Sequence, residues 1–83
     1  MQQVDKENLK NFGENVRKIR ISKSTSLNKL AFSKDGVTSA TLSRIENGLV
    51  DLKFSTLIRL VKTLDISLVD LFKNYEYKIP TDD

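Results

Sequence analysis

Apolar residues fall along this chain in short helical bursts separated by polar breaks. Leu9, Phe12, Val16 and Ile19 recur at steps of three and four, which predicts a helix from about Asn8 to Ser22, with Asp5 or Asn8 as its cap. The run SKSTS at 22–26 favours side-chain bonds to its own backbone and so breaks that helix. Ser26 then suits the cap of a second helix with Leu27, Leu30 and Ala31 at its early apolar positions, ending near Ser33 to Asp35. Gly36 supplies the positive φ expected of a sharp turn. The stretch VTSATLSRIENG at 37–48 predicts a third short helix, capped by Thr38 and closed by Gly48. Asp51 is the expected cap of a fourth helix whose Phe54, Leu57, Ile58, Leu60, Val61 and Leu64 form a broad apolar face. Ser67 caps a fifth, from Leu68 to about Lys73, followed by the tail NYEYKIPTDD, whose last residues, with Pro80 and the terminal acids, are expected to be mobile. Nothing sustains strand alternation, so the expectation is an all-α fold of five helices: an arm at 1–7, a domain at 8–73 and a tail at 74–83.

The third helix has an unusual surface. Val37, Leu42 and Ile45 take its inner side, which leaves Ser39, Ala40, Ser43 and Arg44 outside. Helices two and three, joined by a tight glycine-containing turn, make a helix-turn-helix, in which the second member enters the DNA major groove. Small side chains let a helix approach the groove floor; serine can bond a base edge and the Ala40 methyl can pack on a thymine methyl. Arg44 is the one long donor there, with a fork that fits guanine O6 and N7 together.

Composition narrows the alternatives. With 83 residues and 39% apolar content the chain holds one small core. It has no cysteine to staple that core, so packing or a partner chain must supply stability. The absence of histidine removes the usual general base and the commonest zinc ligand, and an enzyme, a metal site or a cofactor is not expected. No apolar run approaches the ~20 residues that span a bilayer, and the opening MQQVDKENLK is polar, so the expected location is the cytoplasm. The net charge is only +3, yet from Lys6 to Lys62 twelve basic residues face five acids, which suits a polyanionic partner.

The segments FGENVRKIR at 12–20, SLNKLA at 26–31, GVTSATLSRIENG at 36–48 and TLIRLVKTLDISLVDLF at 56–72 together resemble the phage-repressor, Cro-like helix-turn-helix family of bacterial transcription regulators. Small size and a single domain are also similar to the controller proteins of restriction–modification systems. The resemblance implies a five-helix, lambda-repressor-like DNA-binding domain acting as a homodimer on double-stranded DNA, without a small-molecule ligand. It implies base contacts from Ser39, Ala40, Ser43 and Arg44. Backbone contacts are implied for Ser26, Leu27, Thr38, Thr41, Asn47 and Lys34, the first two at a helix N-terminus suited to phosphate. Arg20 and Glu46 match a structural ion pair that bridges helix one to the end of helix three.

Three positions depart from the family pattern. Leu27 stands where a glutamine normally reaches a phosphate, so contact there falls to backbone amides or is lost. The turn FSKDG is one residue longer than usual, and Leu52 replaces a common proline. Surplus apolar residues near the C-terminus, chiefly Val69, Phe72 and Tyr75, suggest a two-fold dimer seam, against the plainer alternative that the tail folds onto its own domain. From another class, the chain could be an antitoxin-like module whose tail wraps a partner protein.

Overall fold

The computed structural model describes residues 2–23, 35–73 and 75–81, and within them it is helical with no strand. Four helices are seen: α1 (Gln3–Ser22), α2 (Ser39–Glu46), α3 (Phe54–Leu64) and α4 (Leu68–Phe72). The predicted helix at 26–33, with Ser26, Leu27 and Lys34, lies outside the described residues.

The core is one cluster. Phe12 and Val16 of α1 meet Val37, Leu42 and Ile45 of the α2 segment, Leu60 and Leu64 of α3, and Leu71 of α4. The helical spacing selects most of these positions, but it also selects Phe54 and Ile58 of α3, which are 70% and 43% exposed. Thr63 is the single buried polar residue among those described. It ties two elements together: the Val37 N–H donates to its Oγ1 at 3.0 Å, and its hydroxyl donates to the Arg59 carbonyl at 2.9 Å.

Several boundaries differ from expectation. α1 starts at Gln3 rather than near Asn8, so most of the expected arm at 1–7 is helical, and neither Asp5 nor Asn8 is the cap. Asp5 lies in the first turn, where a carboxylate faces the positive end of the helix dipole. The Asn8 side chain is taken by Lys78, and this tertiary support holds the early turns. In the turn before α2 the left-handed residue is Asp35, with φ 62°, not Gly36; a short polar side chain tolerates that conformation. Asp51 does not cap α3, because its carboxylate accepts from the adjacent Leu52 N–H at 2.9 Å. Leu52 packs on the core, and the chain stays extended to Lys53, the actual cap residue.

Other caps form as the sequence implies. The Thr41 N–H donates to Thr38 Oγ1 at 3.1 Å and the Asp70 N–H to Ser67 Oγ at 3.0 Å. Gly48, at φ 68°, closes α2 with two bonds, Gly48 N–H to the Ile45 carbonyl and Leu49 N–H to the Arg44 carbonyl, each 3.0 Å. Of the two readings of the tail, the structure takes the plainer one: residues 75–81 lie on α1. Tyr77 rests 6.4 Å from the Phe12 ring and 6.1 Å from Phe72.

Candidate nucleic-acid interface

α2 is held rigidly by its C-terminal end. Arg20 grips Glu46 through two bonds, Nε to Oε2 at 2.8 Å and Nη2 to Oε1 at 3.0 Å, with both side chains largely buried. Donating to the Glu46 carboxylate raises the Arg20 pKa above its ordinary value. Gly13 lets α1 lie directly on the last carbonyls of α2. A Cβ at that position would sit 2.3 Å from the Ile45 oxygen and 2.6 Å from that of Glu46. Gly48 makes a second contact of this kind, since a Cβ there would fall 2.9 Å from Lys10 Cα. Neither glycine contact was foreseen as such: the expected role of Gly48 was to end the helix, and Gly13 carried no assigned role.

With its inner side fixed by Leu42 and Ile45, α2 presents the remainder outward. Ala40 and Arg44 are exposed one turn apart, while Ser39 and Ser43 form a half-buried row beside them. Arg44 makes no hydrogen bond or ion pair with any described residue, so its five donors are available. Two of the expected backbone-contacting residues have local tasks. The Thr38 hydroxyl caps the helix and donates to Thr41 Oγ1 at 3.0 Å, and Asn47 Nδ2 donates to the Ser43 carbonyl at 2.8 Å. Arg44 and Thr41 also border an open cleft whose far side is Asp51, Leu52, Lys53 and Thr56 at the start of α3. Lys53 thus lines the same cleft as Arg44. Among the described residues no group of His, Cys, Asp or Glu could hold a metal ion, and no helix is long and apolar enough to cross a membrane.

Residues 16–71 match the family model described as helix-turn-helix, of the Cro/C1 type. The chain belongs to this helix-turn-helix family. Its likeness to solved structures agrees. The restriction-modification controller protein C.AhdI from Aeromonas hydrophila superposes with a TM-score of 0.71 at 28% identity, over 81% of this chain and 96% of that one. ComR from Streptococcus suis gives a TM-score of 0.69 at 29% identity over 88% of this chain, which spans only 23% of ComR. No curated protein sequence matches significantly. Together the family and these neighbours make this protein a DNA-binding transcription regulator, in a family that is typically non-enzymatic.

Proposed function

We propose that this chain is a cytoplasmic, non-enzymatic regulator that binds a near-palindromic operator as a homodimer, in the manner of a prophage-type repressor or a restriction–modification controller. The observation that carries the reading is α2 itself: buried on one side, capped at both ends, and bearing an unengaged Arg44 among small neighbours on the other. The segment 26–33 would supply the preceding helix, completing five. Ser39, Ala40, Ser43 and Arg44 would face bases, while Ser26, Leu27, Lys34, Thr38, Thr41 and Asn47 would lie along the sugar–phosphate backbone. Lys53, across the cleft from Arg44, is a further phosphate neighbour.

Dimerisation rests on apolar surface that the single chain leaves open. Val69 is 74% exposed and Phe72 40%, and on α3 Phe54 and Ile58, one turn apart, are 70% and 43% exposed. In this seam Tyr75 plays a supporting part, because its hydroxyl accepts from Asn11 Nδ2 and its ring meets Tyr77 at 4.7 Å. Two copies joined there would set two reading helices about one DNA turn, ~34 Å, apart. The antitoxin-like alternative would have residues 75–81 leave α1 to wrap another protein, in competition with the contacts they make to Asn8 and Phe12.

Arg44→Ala is the sharpest test of base reading. Measured against a set of single-base operator variants, the substitution should relax preference at one position of each half-site by about five- to 150-fold, as loss of a bidentate guanine contact of ~1–3 kcal/mol requires. A uniform loss across all variants would instead place Arg44 on a phosphate.

A further inference from the structure

The tail segment 75–81 grips the first half of α1 through several unlike contacts. The Asn8 amide holds it at two points, donating from Nδ2 to the Lys78 carbonyl at 2.8 Å and accepting the Lys78 N–H on Oδ1 at 2.9 Å. Lys78 Nζ reaches Glu7 Oε2 at 2.6 Å, Asn11 donates to the Tyr75 hydroxyl, and Tyr77 closes on Phe12 and Phe72. Another side of the same helical turns meets the end of α2, through Lys10 against Gly48 and Gly13 against the Ile45 and Glu46 carbonyls. Those last contacts are backbone on backbone. No side chain lies between them to absorb a shift, so a displacement of α1 passes directly to α2.

We propose that segment 75–81 is a positioning strap, in which Glu7, Asn8 and Lys78 hold α1 and thereby fix the C-terminal end of α2 for reading DNA. The inference rests on the DNA-binding function and adds a means of regulating it. The strap is built to release: its ion pair is solvent-exposed, so it contributes little, and the Tyr77 hydroxyl is buried without a hydrogen-bond partner, which weakens docking. Whatever draws the tail away lowers affinity for DNA without touching α2.

The test uses the full chain and its selected operator. Glu7→Lys sets two cations against each other in place of the weak ion pair, and makes the protein more positive by two charges, which by electrostatic attraction alone would tighten binding. Through the strap it should weaken binding by about fivefold, evenly across operator variants. The exchange Glu7→Lys with Lys78→Glu restores opposite charges and should return affinity to within about twofold of wild type. Asn8→Ala, which alters no charge, should weaken binding like Glu7→Lys. In the free protein, hydrogen exchange at the Gly48 and Leu49 amides, which close α2, should quicken in both single variants. Unchanged or tighter binding by Glu7→Lys, or exchange equal to wild type, would overturn the strap. A wild-type chain that selects no operator would refute the DNA reading itself, and the exchange rates would then separately show whether strap and helix are coupled.

Discussion

Gly13→Ala should lower stability by on the order of 3 kcal/mol, seen as a fall in Tm of roughly 12–24 °C for a domain of this size. On a surface helix the same change would raise stability by up to ~1 kcal/mol, because alanine is the better helix former. Here the new methyl carbon would lie 2.3 Å from the Ile45 oxygen, 2.6 Å from the Glu46 oxygen and 2.8 Å from the Glu46 carbonyl carbon. All three are backbone atoms, which cannot rotate away as a side chain can. The Ile45 carbonyl is also the acceptor for the Gly48 N–H, so pushing it aside loosens the cap of α2. Moving α1 instead would open space between Phe12, Val16, Leu42 and Ile45. Thermal unfolding followed by circular dichroism decides the matter, since an unchanged or higher Tm would mean that the helices do not approach this closely.

Glu46→Ala should cost a similar amount, about 3 kcal/mol, the lower end for breaking a buried ion pair. The Glu46 side chain is 6% exposed and that of Arg20 13%, so removing the carboxylate takes two charge-assisted bonds from a largely buried cation. The net worth of the intact pair is much smaller, because desolvation offsets most of the attraction. A double variant, Arg20→Met with Glu46→Ala, should therefore recover part of the loss in a denaturant titration. A double variant as unstable as the sum of the two single variants would show that Arg20 and Glu46 act independently, which contradicts a coupled pair.

The parts of the fold legible in the sequence are those set by neighbours along the chain. Thr38 and Ser67 cap α2 and α4, and Gly48 closes α2, because each acts on backbone groups within one turn. The core residues followed from spacing, since a stripe of apolar positions has only one side to bury. What escaped was set by distant contacts. Gly13 reads in isolation as a helix-weakening residue, and only the carbonyls of α2 explain it. Thr63 sits in an apolar stretch with nothing local to say that the Val37 N–H will need its oxygen. The polar tail offered no periodicity, yet Asn8, Asn11 and Lys78 fasten it across most of the chain length. At Asp35 and Gly36 either residue could take the left-handed backbone, and local sequence does not choose between them. The Arg20–Glu46 bridge came from family likeness rather than spacing.

Selection of tight binders from random double-stranded DNA with the full chain, repeated at rising salt, tests the central claim most directly. The expected result is one enriched near-palindrome whose half-sites lie about one helical turn apart, with affinity falling steeply as phosphate-bound counterions are released. Enrichment of no motif, with binding that barely responds to salt, would contradict sequence-specific recognition by α2.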